Sequence, residues 1–161
     1  MANEKQKKAA GIVYNTIIKH LDGVGFKYEI MEAPGDDYMI NLPMRGDDLP
    51  MHLYIIVDAD REVIMVKAPE FTRFSEEKID IAAKAVCVVN DAIADGRYAL
   101  DIDTGRIMWT ISSCFSGSLI GEDTIHYLIG VSVATLDRHN DLFMALNMDI
   151  LDFDGFRAKI G

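Results

Sequence analysis

The sequence predicts an α+β domain, an antiparallel sheet with helices packed on it in the order α-β-β-β(-β)-α-β-β-α. Three observations predict it. Apolar residues recur at helical spacing in an N-terminal, a middle and a C-terminal segment. The segments between them alternate apolar with polar residues, or run apolar over a few positions. These short segments follow one another across polar turns instead of alternating singly with helices, so they pair as hairpins and not as parallel βαβ units.

Residues 3–22 read as a helix, with Ala10, Val13, Ile17 and Leu21 on one face and Asp22-Gly23-Val24-Gly25 as its stop. Phe26, Tyr28 and Ile30 then alternate with Lys27 and Glu29, the pattern of a half-buried strand. After the turn Ala33-Pro34-Gly35-Asp36-Asp37, a second strand covers about 38–44, where Pro43 argues for an edge or a strand end. The runs 51–57 and 62–68, hinged at Asp58-Ala59-Asp60-Arg61, make an antiparallel hairpin. Ser75 is placed to cap the next helix, with Glu76 and Glu77 in its first turn. That helix runs to about Asp95 and ends at Gly96, and two strands follow within 98–111. The final helix spans about 123–147, with Ile125, Leu128, Ile129, Leu136, Phe143 and Leu146 as its apolar stripe. Residues 1–147 thus form a single domain, and 148–161 a tail that keeps Ile150, Leu151, Phe153 and Phe156. Packing on its own subunit is the simpler account of that tail, and docking on a partner the sharper one.

Composition narrows the function. Of 161 residues, 50% are apolar and 26% charged, which excludes extended disorder. The net charge of -10 repels phosphate backbones, so nucleic acid is not an expected partner. Lys5, Lys7 and Lys8, the only basic cluster, read as a solvated tail. No apolar run approaches the ~20 residues that span a bilayer, and the first residues show no apolar signal region, so the expectation is a cytoplasmic protein. Cys87, in an apolar run, reads as a buried free thiol, and with Cys114 far away no bridge is expected.

The middle helix points to a partner. Between Ile81 and Val89 only Lys84 is charged, and a helix apolar nearly all round needs cover on more than one side. A second subunit supplies it most economically, with Ile79, Val86, Val89 and Ile93 as the dimer face; the competing account is cover by the final helix or the tail.

The chemical motifs mostly fail. Asp103-Thr104-Gly105 is the triplet of an aspartic protease, but Asp101 stands before it and Arg106 after it, where an arginine would ionise both carboxylates of a dyad that must share a proton. Asp, Thr and Gly are also what a hairpin corner requires, and that reading is preferred. Asp101 and Asp103 could open a calcium loop, but Arg106 and Ser112 stand where that loop needs Gly and Glu. Gly23-Val24-Gly25 follows a helix and lacks the third glycine of a dinucleotide site. His20, His52, His126 and His139 have no metal-ligand spacing, and Ser112, Ser113 and Cys114 have no nucleophile elbow around them. No catalytic residue, metal or cofactor is assigned. Met31, Met39, Met44, Met51 and Met65, clustered in the first strands, suit a surface that binds varied apolar segments, although core filling is the simpler account of any one of them.

Three stretches carry a resemblance. They are 40–71, 88–117 and 122–146, with Val89-Asn90, Leu100-Asp101, Thr104-Gly105-x-Ile107-x-Trp109 and Ser132-x-x-Thr135-Leu136-Asp137 as their marks. In these the chain resembles the YbjN-like family of bacterial sensory transduction regulators, of type III secretion chaperone-like fold, over about residues 5–147. The resemblance implies a non-enzymatic, acidic homodimer paired through the middle helix. It also implies that extended client segments are held on apolar patches of the sheet and first helix. The expected function is therefore a cytoplasmic protein-binding module, chaperone-like or regulatory, with Val13, Ile17, Met39 and Met44 as partner-binding candidates. The alternative is a small enzyme or metabolite-binding protein, for which Asp101, Asp103 and Arg106 are the clustered polar candidates.

Overall fold

The computed structural model describes residues 1–47, 50–118 and 120–160. Its elements are α1 (Glu4–Val24), β1 (Glu29–Met31), β2 (Tyr38–Arg45), β3 (Pro50–Asp58), β4 (Val63–Arg73), α2 (Ile79–Ala92), β5 (Arg97–Leu100), β6 (Arg106–Cys114), α3 (Glu122–Asn147) and α4 (Phe153–Ile160). The strands make one antiparallel sheet in the order β1-β2-β3-β4-β6-β5, and the helices pack on it, so the α+β class holds.

Local chemistry sets the boundaries. α1 starts at a capping box: Asn3 Oδ1 accepts from the Gln6 N–H at 3.0 Å, and Gln6 Oε1 accepts from the Asn3 N–H at 2.8 Å. It ends on Gly25 at φ 81, after which the Phe26 N–H returns to the Leu21 carbonyl. That closure is why the strand expected from Phe26 begins only at Glu29. Pro43 lies past the end of β1, whose pairing with β2 stops at Asn41, so its missing N–H falls where the outer edge has no neighbour. Ser75 makes no side-chain cap; a 3₁₀ turn over Glu76–Lys78 leads into α2, which stops at Ala92, short of the expected end.

Strand alternation sorts the core. Ile40, Leu42, Leu53, Ile55, Val57, Ile64, Val66, Tyr98, Ile107, Trp109 and Ile111 are buried on the helix-covered face. α1 meets β3 there, and α3 meets β4 and β6. On the opposite face Met39, Tyr54, Ile56, Met65, Lys67, Met108 and Thr110 remain half-buried.

The chain end folds back. α4 packs on α2 and α3 of its own subunit, burying Phe156 5.5 Å from the Phe143 ring. This supplies the cover that the apolar middle helix demanded. Val86 and Val89 are buried inside the subunit, at 8% and 0% exposure, and Ile79 and Ile93 are half-buried, so the expected dimer face is corrected: its central valines are already occupied. The exposed residues of α2 are Asp80, Lys84, Cys87 and Asp91 along one stripe, and Ala92 at its end. Cys87 is accordingly exposed, against the expectation of a buried thiol, because it lies on that polar stripe. Among the described residues no helix is long and apolar enough to cross a membrane.

Candidate functional site

Two faces of α3 have different work. Ile125, Leu128, Ser132, Leu136, Phe143 and Leu146 face the core and are buried. His126, Gly130, Val133, Ala134 and Asp137, offset around the helix, form one wall of a groove of about 570 Å³. Phe26, just past α1, and Met44 and Asp47, at the end of β2, form the other wall, with Ile129 at the base. Small residues keep the groove open: a Cβ at Gly130 would meet no atom within 4 Å.

The groove is apolar along its length and polar at its ends. At one end the exposed His126 stacks edge-on against the buried His20, whose Nδ1 lies 3.9 Å from Glu122, itself paired with Lys19. Lys19 holds the Glu122 carboxyl below its usual range, chiefly through their hydrogen bond. At the other end Asp137 Oδ2 accepts from the Asp47 N–H at 2.6 Å, and its Oδ1 is buried with no hydrogen-bond partner among the described residues. Arg138 stands beside it. An apolar channel with an acceptor at one end has the shape and chemistry to take an aliphatic segment carrying a donor.

The sequence-predicted residues divide. Met44 lines the groove, but Met39 is on the opposite face of the sheet, because residues an odd number apart on one strand point opposite ways. Val13 and Ile17 are buried between α1 and the sheet, at 4% and 0% exposure, and are corrected from partner-binding to core residues: the apolar stripe that made the helix recognisable is what seats it. Phe26, Ile129, Gly130 and Val133 were missed. The signal available for them was the small pair Gly130 and Ala134, one helical turn apart beside Val133, on a helix whose main stripe lies elsewhere.

The polar cluster at Asp101 is a turn. Asp101 Oδ1 accepts from the Asp103 and Thr104 N–H groups at 3.1 and 3.2 Å, and Oδ2 from Arg106 Nη2 at 2.9 Å. The Arg106 guanidinium, with help from Thr104, holds this carboxyl down to about 2. Gly105 closes the corner at φ 71. Both Asp101 carboxylate oxygens are thus engaged in holding the hairpin. Among the described residues no group of three or more His, Cys, Asp and Glu could hold a metal ion.

The remaining marked residues form brackets around Trp109. Its Nε1–H donates to Ser132 Oγ at 3.0 Å, and that hydroxyl donates to the Leu128 carbonyl at 2.7 Å. The Tyr98 hydroxyl donates to the Thr135 carbonyl at 3.0 Å. Asn90 grips the Tyr98 backbone, donating to its carbonyl at 2.9 Å and accepting from its N–H at 2.8 Å. Compared with known proteins, the chain matches no family model, no curated protein and no solved structure.

Proposed function

We propose that the protein is a non-enzymatic binding module, chaperone-like or regulatory, that holds an apolar segment of a partner protein in the groove beside α3 and works as a homodimer. The groove itself carries this reading: about 570 Å³, walled by Phe26, Met44, Val133 and Ala134, with the Asp47–Asp137 pair at one end. A segment with aliphatic side chains for the channel and a basic residue for the acidic end fits it best, and the net charge of -10 favours a basic partner further. The resemblance to YbjN-like regulators and secretion chaperones leads to the same reading. Two exposed free cysteines suit a reducing compartment, in keeping with the proposed cytoplasmic location.

The enzyme reading loses support because its best cluster, Asp101 with Asp103 and Arg106, is committed to a turn. Peptide-display selection followed by fluorescence polarisation tests the proposal. Selected peptides should combine spaced aliphatic residues with a basic one, and Gly130→Trp, which fills the groove, should weaken them about tenfold or more. Binding that survives Gly130→Trp would overturn the groove. Failure to select any peptide, together with a small metabolite released on denaturation, would overturn the module in favour of a metabolite-binding protein.

A further inference from the structure

The helix-free face of the sheet is ordered in cross-strand rows. Antiparallel sheets with one solvated face usually present polar residues there. Here one cross-strand row reads Met31, Met39, Ile56, Met65 and Ser112, apolar across four strands. The adjacent row reads Glu29, Asn41, Tyr54, Lys67, Thr110 and Arg97, from one edge of the sheet to the other. Glu29 and Arg97 stand five strands apart, roughly 24 Å at about 4.8 Å per strand, too far to meet within one chain. Among the described residues neither of them, nor the half-buried Lys67, makes an ion pair; Glu29 accepts a hydrogen bond from Asn41 Nδ2 at 3.2 Å.

We infer that this face is closed by the same face of a second copy, about a twofold axis parallel to the strands and between β3 and β4. This rests on the homodimer part of the proposal above and gives it a surface other than α2. The operation lays β1 on the partner's β5, β2 on its β6 and β3 on its β4. The polar row then meets itself reversed. Glu29 faces the arginine at the far edge of the other copy, twice per dimer, and Tyr54 receives the ammonium of Lys67. In the apolar row Ile56 packs on Met65. A row that runs from acid to base is self-complementary only when it is reversed, and this twofold supplies that reversal. The patch measures roughly 24 Å by 20 Å, so with side-chain relief the pair buries on the order of 1,000–1,500 Å², which reaches the range of specific dimers. Long charged side chains at the rim can bridge two sheets packed about 10 Å apart and crossed by about 30°.

Size-exclusion chromatography with light scattering, run over a concentration series, tests this. The wild-type chain should be a dimer. Glu29→Arg and Arg97→Glu should each weaken it about tenfold, because each single change leaves two like-charged pairs, and the double swap should restore it to within about threefold. Ile56→Asp should give a monomer with an unchanged far-UV spectrum. A wild-type monomer would overturn self-association altogether and leave the groove untouched, since that is read by peptide binding. A dimer indifferent to Ile56→Asp and to the charge swaps would overturn this face alone. Rescue by the double swap excludes misfolding as the cause of the single-variant losses.

Discussion

Replacing Phe156 by alanine tests whether the last residues belong to the core. The side chain is fully buried, 5.5 Å from Phe143, whose ring in turn lies 5.3 Å from Tyr98 and 5.9 Å from Phe71. Removing a buried phenylalanine costs about 3–5 kcal/mol, from lost transfer free energy and the cavity left behind. The low end, about 3 kcal/mol, applies here, because α4 is a short terminal helix that can sink into the gap. For a chain of 161 residues, at about 2–4 °C per kcal/mol, Tm should fall by roughly 6–12 °C. Ile160→Ala, at 8% exposure on the same helix, should cost about half as much. Thermal and urea denaturation followed by circular dichroism measure both, and trypsin cleavage at Arg157 and Lys159 reports whether α4 stays docked. If Phe156→Ala moves Tm by less than about 2 °C and leaves the tryptic pattern unchanged, α4 contributes nothing to the fold and the tail is a free docking arm. That result would also reopen α2 as a dimer face, since α4 is what covers it.

Three further changes follow from the geometry. Gly96→Ala should destabilise by about 2–3 kcal/mol in urea melts, since Gly96 has φ 76 and a Cβ there would overlap the Trp109 indole. Asn90→Ala should cost about 2 kcal/mol by the same assay, because it strands both backbone groups of the buried Tyr98; Asn90→Asp, which keeps the acceptor, should recover part of this. Asp101 has a folded pKa of about 2 against an ordinary 3.8, so its contribution is fully present above pH 3.8 and is lost as pH falls toward 2. Asp101→Asn should flatten that part of the Tm-against-pH curve, and an unchanged acid limb would refute the role given to the Arg106 pair.

The fold was legible where one element decided its own fate. The stripe Ala10, Val13, Ile17 and Leu21 marked α1, and all four residues are buried. The hairpin at 98–111 was legible because Asp101, Thr104 and Gly105 satisfy the turn locally. What failed were inferences about what lies on the far side of an element. Val86 and Val89 reveal that α2 is covered twice, but periodicity cannot distinguish a second subunit from a helix supplied by the chain's own end. The expectation that Val13 and Ile17 bind a partner fails for the same reason: an apolar side chain advertises burial without naming the surface that buries it. Met39 and Met44 were grouped by composition, while the two-residue period of a strand separates them onto opposite faces. The groove was not legible because it depends on where the end of β2 falls against α3, a distance of 90 residues along the chain between Asp47 and Asp137.

The groove lies almost wholly within the stretches 40–71 and 122–146, but the motif residues that mark the resemblance and those that line the groove are almost separate sets, and this has an experimental use. Asn90, Asp101, Gly105, Trp109, Ser132 and Thr135 are engaged in hydrogen bonds or close contacts that hold β5, β6, α2 and α3 together. Changes there should be read first as changes in stability. Gly130, Val133 and Ala134 sit on the turn of α3 that faces away from those brackets, and only Asp137 belongs to both sets. Gly130 makes the separation sharpest: a Cβ there meets nothing within 4 Å, and glycine inside a helix is about 1 kcal/mol worse than alanine. Gly130→Ala should therefore stabilise the protein slightly, and the larger Gly130→Trp should leave it folded while it closes the channel. Loss of segment binding in a variant that melts no lower than wild type can then only be a property of the groove, whereas a loss accompanied by a drop in Tm would return the question to the scaffold.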